Sequence, residues 1–272
     1  MRWPDNLDEI MTDLTIWELH RGDSPLVATA IHDGHAVRPE VATLMKLSEP
    51  ERLREEDPFT RRWATVADTR LIGLHSRFEV DLNRPRDKAV YIVPEDAWGL
   101  HVWHEKPPES IVERSLQQYD AFYAAAQQLF TALEQKFGRF VVFDLHSYNH
   151  RREGPDGPLA NPEENPEVNI GTGSVNHDRW GHIVDRFMAD LRAFDYLGGH
   201  LDVRENVKFQ GGNFARWTHA NFPQSACVLA IEFKKFFMDE WTGEPDPTHL
   251  EAIEQALAST VPGVLEALQV NK

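Results

Sequence analysis

The segment that most constrains the fold is a long amphipathic stretch that leads straight into an apolar one. Between residues 108 and 137, apolar side chains recur at steps of three and four residues, which predicts a helix with one buried face. Gly138 suits the end of this helix, and the apolar residues 140–143 that follow predict a buried strand. This part of the chain therefore combines a long helix with a strand of the core.

Other segments continue this alternation of strands and helices. Apolar runs predict further strands, and amphipathic patterns predict further helices, one of them capped by Asp178. No internal repeat and no linker divides the chain. The pattern predicts an α/β fold, a single-domain three-layer sandwich over residues 1–272 with a mixed, largely parallel central sheet. The predicted strands lie at 26–31, within 71–82, at 89–93 and at 226–233; the predicted helices lie at 39–54, 178–193 and 249–268, and a polar loop covers 149–165.

Charge and cysteine content exclude several classes of partner. The 44 acidic residues outnumber the 28 basic ones, and the resulting net charge of −16 disfavours nucleic acid and anionic membrane surfaces as partners. The single cysteine, Cys227, lies in an apolar run and is expected to be a buried strand residue. Residues 1–5 lack the apolar core of a signal peptide, and no apolar stretch is long enough to span a bilayer. We therefore expect a cytoplasmic protein.

Polar residues follow several of the predicted strands. His32 comes after the first strand, Asp144 and His146 close the strand at 140–143, and Glu232 closes the strand that contains Cys227. In open α/β sheets, ligands bind beyond the carboxyl ends of strands, and imidazole with carboxylate suits zinc. Asp144 and His146 share one strand face, so the carboxylate either orients the imidazole or caps a loop.

Arginine-containing segments suggest a carboxylate ligand. Arg77 and Arg84 lie in the dense polar segment 76–85, and Arg216 follows the two glycines of the loop 211–216. An arginine binds a carboxylate through two parallel hydrogen bonds, although surface salt bridges with the abundant acids also explain each arginine singly. The small-residue loop 169–174 is not a phosphate loop, because it lacks the lysine and the spacing.

Taken in chain order, these blocks resemble the N-formylglutamate amidohydrolase family. The most specific are Ser-Arg-Phe at 76–78 with Asp-Leu-Asn-Arg-Pro at 81–85, and Asp-Leu-His-Ser at 144–147. The resemblance spans roughly residues 26 to 240, most of the chain. Supporting blocks lie at 31–34, 55–57, 169–172, 209–212 with Arg216, and 231–232.

The resemblance implies a set of site residues and a relationship to the zinc carboxypeptidase and aspartoacylase group. It implies that Zn²⁺ or another divalent metal is held by His32, His146 and one acid, with Glu232 as the base. Asp57 is the expected third ligand, and Glu56 and His35 are the alternatives, because His35 stands where the carboxypeptidase group has a glutamate ligand. Ile31 replaces the usual proline before the first histidine. The expected substrate-binding residues are Arg77, Asn83, Arg84 and Arg216.

The implied function is metal-dependent hydrolysis of the amide of an N-acyl amino acid such as N-formylglutamate. The partner is then a small carboxylate-bearing molecule, and the oligomeric state stays open. A carboxypeptidase or another N-acyl amino-acid hydrolase on the same site is one alternative. A non-catalytic binder of acidic metabolites is another, although it would leave His32 and His146 without a role. A degenerate relative kept for an interaction surface is disfavoured, because the acids and histidines are intact.

Overall fold

A computed structural model describes residues 14–269 of the protein, so both ends of the predicted domain, 1–13 and 270–272, lie outside the described residues. Within the described range, the strands form a single seven-stranded sheet. The strands are β1 (Trp17–His20), β2 (Leu26–Ala30), β3 (Thr69–Gly73), β4 (Phe140–Tyr148), β5 (Val168–Gly171), β6 (Val203–Glu205) and β7 (Ala226–Lys234).

The sheet is mixed, and its centre is parallel. The strand order is β1-β3-β2-β4-β7-β5-β6. Strands β3, β2, β4 and β7 run parallel to one another, whereas β1 is antiparallel to β3 and β5 is antiparallel to β7. This arrangement confirms the predicted fold class. It also brings the carboxyl ends of β2, β4 and β7 to the same edge of the sheet.

Helices cover both faces of this sheet. The longest, α4, begins at Glu109 and ends at Phe137, as its periodicity predicts. Gly138 ends it with a left-handed φ of 77°, and its N–H donates to the Glu134 carbonyl at 2.8 Å. The remaining α-helices are α1 (Pro39–Ala42), α2 (Glu49–Glu55), α3 (Thr60–Trp63), α5 (His177–Ala193), α6 (Asn213–Asn221) and α7 (Pro247–Gln269), with 3₁₀ turns at Ala64–Val66, Arg86–Lys88 and Pro94–Ala97.

Each face of the sheet has its own apolar core, and the alternation of side chains along a strand decides which core a residue joins. In β4, Val141 and Phe143 pack in the core that contains α5 and α7, whereas Phe140 and Val142 pack in the core that contains α4 and α6. Cys227 is fully buried in the first core, as expected of a strand residue. Asp144 and His146 continue the series of Phe140 and Val142, beyond the part of the strand that the helices cover.

The predicted helix over 39–54 is two short helices in the structure. Residues 43–48 leave the helical path, and the Lys46 N–H donates to the Val102 carbonyl at 2.8 Å. Ser48 is the N-cap of α2, and its N–H donates to the Glu51 carboxylate at 2.8 Å, as in a capping box. The periodicity of a local segment carries no information about a contact with a residue 56 positions away in the chain.

Four other features differ from the prediction. No strand forms at 89–93, where Tyr91 is buried and its carbonyl accepts from Trp103 at 2.5 Å. Asn176, not Asp178, caps α5. Strand β4 runs on to Tyr148, and β5 takes the first part of the segment expected to be a small-residue loop. None of the described helices is long and apolar enough to cross a membrane.

Candidate active site

Three parallel strands deliver polar side chains to the same edge of the sheet. His32 lies two residues after the end of β2, His146 lies two residues before the end of β4, and Glu232 lies two residues before the end of β7. His146 and Glu232 are direct partners in the register of β4 and β7, so both side chains emerge on the same face. Sequence predicted this meeting from the carboxyl-end rule for open sheets.

Asp57 reaches the same place from outside the sheet. It follows α2, and its N–H donates to the His32 carbonyl at 2.9 Å. Lys235, directly after β7, is 1% exposed, and its ammonium donates to the carbonyls of Arg54 at 2.5 Å and Glu56 at 2.7 Å. The segment that carries Asp57 is therefore tied to two different strand ends.

His32, Asp57 and His146 form a buried group whose ligand atoms lie within 4.8 Å of one another. The Asp57 Oδ2 atom is 2.9 Å from Nδ1 of His146 and 3.4 Å from Nδ1 of His32. Two imidazole nitrogens and one carboxylate oxygen therefore converge on one point. Such a group could hold a metal ion. Catalytic zinc sites use three protein ligands of these types and leave a coordination position for water or substrate.

A carboxylate lies beside the far nitrogen of each histidine. The Nε2 atom of His32 is 2.7 Å from Oδ1 of Asp81, and the Nε2 atom of His146 is 3.2 Å from Oδ2 of Asp144. Carboxylates placed in this way orient metal-binding imidazoles and fix their tautomer. The Nδ1 atom of His32 is buried and has no hydrogen-bond partner within the described residues, as expected of a nitrogen meant for a cation. The residues present therefore fit a divalent metal.

The charges in this group depend on one another. Burial alone would raise the pKa of Asp57, but the hydrogen bond from His146 and the nearby His32 outweigh it and hold that pKa below its ordinary value. Burial would likewise lower the pKa of His146, but the facing charge of Asp144 raises it well above its ordinary value. The buried carboxylates therefore need compensation by positive charge at this place. A divalent metal would supply that compensation.

Glu232 faces the group without a basic partner. Its carboxyl lines the cavity, and desolvation there raises the pKa of this carboxyl to about 7. The neighbouring lysines are used elsewhere: Lys234 donates to the Asn165 carbonyl at 3.0 Å, and Lys235 holds the Asp57 segment. Among the described residues, no lysine or arginine forms a salt bridge with Glu232.

A cavity of about 300 Å³ opens above this group. Its volume suits a small metabolite, and its lining is mainly polar and charged. The lining residues are His32, Glu55, Asp57, Arg77, Asn83, Arg84, Trp98, His146, Ser147, Tyr148, Asn149, Arg152, Phe209, Gln210, Gly211, Gly212, Glu232 and Lys235.

The sequence model of the N-formylglutamate amidohydrolase family matches residues 24–238, which include every residue of this cavity. The chain belongs to this family. No curated protein sequence matches it significantly.

Two solved structures share the fold at low sequence identity. An N-formylglutamate amidohydrolase from Ralstonia eutropha JMP134 is 19% identical with a TM-score of 0.68, and the match covers 94% of this chain and 98% of that one. A gene product from Agrobacterium tumefaciens is 17% identical with a TM-score of 0.59, and the match covers 91% and 95% of the two chains. Both matches extend over nearly the whole fold of this family member.

The structure places the expected ligand alternatives, His35 and Glu56, beside the cluster and pairs them with each other. Nδ1 of His35 is 2.5 Å from Oε2 of Glu56, and the other Glu56 oxygen accepts the hydroxyl of Ser76. Glu56 is fully buried in this arrangement. Neither residue belongs to the group of converging donors, so Asp57 remains the third ligand that we propose for this family member.

The expected substrate-binding residues separate into three inside the cavity and one outside it. Arg77, Asn83 and Arg84 line the cavity, whereas Arg216 is exposed on α6, donates to the Gly211 carbonyl at 3.0 Å and is not among the lining residues. Arg77 spends one nitrogen on Asp81 at 2.7 Å and also contacts the Tyr91 hydroxyl. Its position therefore supports Asp81, which in turn holds His32.

The side chain of Asn83 lies against the backbone of a glycine, Gly212. Its Oδ1 accepts the Phe214 N–H at 2.9 Å, and its Nδ2 is 3.4 Å from Nε2 of His146. A β-carbon added at Gly212 would lie 2.1 Å from the Asn83 Oδ1 atom. The Gly-Gly loop thus serves to let the Asn83 amide approach the backbone.

Several residues of the site were missed by sequence reasoning. Asp81 lies inside a motif that was recognised, and its two-residue spacing from Asn83 was the available signal. Lys235 directly follows the strand that carries Glu232, and nothing near it in the sequence indicates that it holds the Asp57 segment. Glu55 lies in the supporting block at 55–57 but was given no role in the site. Trp98 and Arg152 carried no local signal, because they reach the cavity from the end of a 3₁₀ turn and from a polar loop.

Proposed function

We propose that this chain hydrolyses the formamide bond of N-formylglutamate, releasing formate and glutamate, with Zn²⁺ or another divalent metal held by His32, Asp57 and His146. The observation that carries the proposal is the convergence of Nδ1 of both histidines on Oδ2 of Asp57, at 3.4 and 2.9 Å. Membership of the family supplies the substrate class.

The metal, when bound, would polarise the formyl carbonyl and make water at the site more acidic. The remaining roles fall to side chains. Asp81 and Asp144 keep the two imidazoles turned so that their Nδ1 atoms converge. Asn83 and Arg84 bind the α-carboxylate of the substrate, where an arginine offers two parallel hydrogen bonds.

Glu232 acts as the general base and then as the acid. It takes a proton from the attacking water, whose oxygen adds to the formyl carbon as the carbonyl π electrons move onto oxygen. The electron pair returns, the C–N bond breaks, and the proton held by Glu232 passes to the leaving nitrogen. A carboxyl whose pKa is raised to about 7 suits both directions of this transfer near neutral pH.

The test is release of formate and of amine from purified protein. N-formylglutamate, N-acetylglutamate and a dipeptide ending in glutamate should be compared, with and without a chelator and with zinc restored. We expect formate release from the first substrate, its loss on chelation and its recovery with zinc. Stronger cleavage of the dipeptide would indicate a carboxypeptidase. Binding of the substrate without any hydrolysis in zinc-loaded protein would indicate a binder.

A further inference from the structure

Four cationic side chains line the cavity within the described residues, and they differ in how far they are already engaged. The Arg77 guanidinium donates to Asp81, and the Lys235 ammonium donates to two backbone carbonyls. Arg84 comes no nearer than 4.0 Å to the Asp81 carboxylate, and Arg152 no nearer than 3.7 Å to the Glu55 carboxylate. Among the described residues, the side chains of Arg84 and Arg152 donate no hydrogen bond, so two guanidinium groups at this cavity remain available to a ligand.

The backbone just before Arg152 is held by hydrogen bonds to residues 240 and 241. The N–H groups of His150 and Arg151 both donate to Oε1 of Glu240, at 3.0 and 2.8 Å. The indole N–H of Trp241 donates to the Arg151 carbonyl at 2.8 Å. The two residues before Arg152 are therefore fixed by three hydrogen bonds, which is unusual for a loop rich in proline and glycine.

Glu55 holds the Arg152 side chain near the cavity without occupying its donors. The Glu55 carboxylate accepts from the amide of Asn149 at 3.0 Å and from the indole of Trp98 at 3.1 Å. Its side chain is 7% exposed, whereas that of Arg152 is 55% exposed. At 3.7 Å, the pair provides attraction without a hydrogen bond, so the guanidinium keeps its full set of donors.

Two available guanidinium groups suit a substrate with two carboxylates. Arg84 lies over the Tyr91 ring, and Arg152 lies beside Glu55, which accepts the indole N–H of Trp98. The Arg77 guanidinium lies over the Trp98 ring. On the proposed function, Asn83 and Arg84 take the α-carboxylate next to the scissile amide. A glutamate substrate carries a second carboxylate that this pair does not bind.

We propose that Arg152 binds the side-chain carboxylate of the substrate and makes the site selective for acidic N-formyl amino acids over neutral ones. This inference rests on the proposed function and deepens it. The Glu55 anchor reduces the conformational freedom that Arg152 loses when the substrate binds. Glu55 also keeps the guanidinium close to its place when the site is empty.

The experiment compares N-formylglutamate with N-formylglutamine, which has nearly the same shape but a neutral side chain. Values of kcat/KM for both substrates are measured for the wild type and for Arg152→Met, which keeps an unbranched stem and loses the fork. We expect the preference for the acidic substrate to fall by roughly 10- to 100-fold, the range of a charge-assisted hydrogen bond. Glutamate and glutamine, used as product inhibitors, should show the same change without depending on turnover.

Arg151→Met is the matched control. The Arg151 guanidinium donates to the Pro155 carbonyl, and its side chain does not line this cavity, so removing it deletes the same charge one residue away. Its substrate preference should equal that of the wild type. Thermal melting of each variant separates a change in preference from a loss of folding, and Arg152→Gln offers a smaller change if Arg152→Met melts early.

The outcomes separate the two proposals. A zinc-loaded wild type that hydrolyses neither substrate overturns the proposed function. If the wild type is active and Arg152→Met keeps the same substrate preference, the role of Arg152 is overturned and the proposed function stands. The same holds if Arg152→Met loses activity equally on both substrates. An equal change of preference in Arg151→Met would assign the effect to net charge and would also overturn it.

Discussion

The floor and the rim of the cavity are built in opposite ways. The floor consists of His32, Asp57 and His146 with the supporting acids Asp81 and Asp144, and the rim consists of Arg84, Trp98 and Arg152. The three converging side chains of the floor are each 3% exposed, whereas Arg84 is 42% and Arg152 55% exposed. Every floor residue is held by another floor residue or by the sheet, while the two rim arginines make no side-chain hydrogen bonds within the described structure.

This difference separates chemistry from selection. Groups that act on the reacting bond must be in place before the substrate arrives, because reorganisation during the reaction raises the barrier. Groups that recognise the ends of a substrate gain from adjusting to it, at the cost of some side-chain entropy. Changes in the floor should therefore affect the metal and kcat, and changes in the rim should affect KM and substrate preference.

The largest effect is expected from Glu232→Gln. Glutamine keeps the size and hydrogen bonding of Glu232 but cannot accept the water proton, so kcat should fall by about 10²- to 10⁴-fold. Metal content, melting temperature and substrate affinity should stay near the wild-type values. Near-normal turnover in the metal-loaded variant would remove Glu232 from the mechanism.

Asp57→Asn tests which acid belongs to the floor. The amide is a weaker donor to a cation, and loss of a direct ligand should weaken metal affinity by at least about 10-fold, the lower end of what supporting residues cause. Metal affinity can be measured by competition with a chromophoric chelator. His35→Gln is the control, because His35 pairs with Glu56. Release of the metal by the control alone would replace Asp57 with His35 as the ligand.

Asp144→Asn should weaken metal binding although Asp144 is not one of the three proposed ligands. Asp144 accepts the Thr29 hydroxyl at 2.7 Å and lies 3.2 Å from Nε2 of His146. Asparagine can keep the first contact but gives the imidazole a neutral partner, so metal affinity should weaken by roughly 10-fold. If affinity is unchanged while melting temperature falls, Asp144 has a structural role only.

Arg84→Lys should show the smallest effect, and one confined to the rim. Lysine keeps the charge but loses the planar fork, so KM for N-formylglutamate should rise by about 10-fold. The metal content should not change, because Arg84 does not contact the converging donors. A fall in metal content or an unaltered KM would each break the distinction between floor and rim.

The parts of the molecule that sequence predicted share a local signal. His32, His146 and Glu232 each follow or close an apolar run, and a parallel sheet brings such positions to one edge. The long helix α4 was predicted with its end because 29 residues of periodicity and a terminal glycine agree. Where local conformational preference and tertiary packing favour the same secondary structure, the residue pattern alone predicts it.

The parts that escaped prediction depend on contacts between distant segments. The break between α1 and α2 comes from pairing with residues near 102, which periodicity within 39–54 does not register. Arg152 lies in a loop whose path is set by Glu240, 90 and 89 residues along the chain from the two N–H groups that it binds. Arg216 was expected at the cavity from its neighbours in sequence, but the direction of α6 turns its side chain away.

The near-contact between Gly212 and Asn83 restricts how this pocket can change over evolutionary time. Any side chain at position 212 would occupy the space of an amide that is itself held by the Phe214 N–H. The two positions, 129 residues apart in the chain, are therefore expected to vary as a pair. Relatives that keep asparagine at the first position should keep glycine at the second, and a relative that has lost the glycine should have rebuilt this wall of its pocket around another residue.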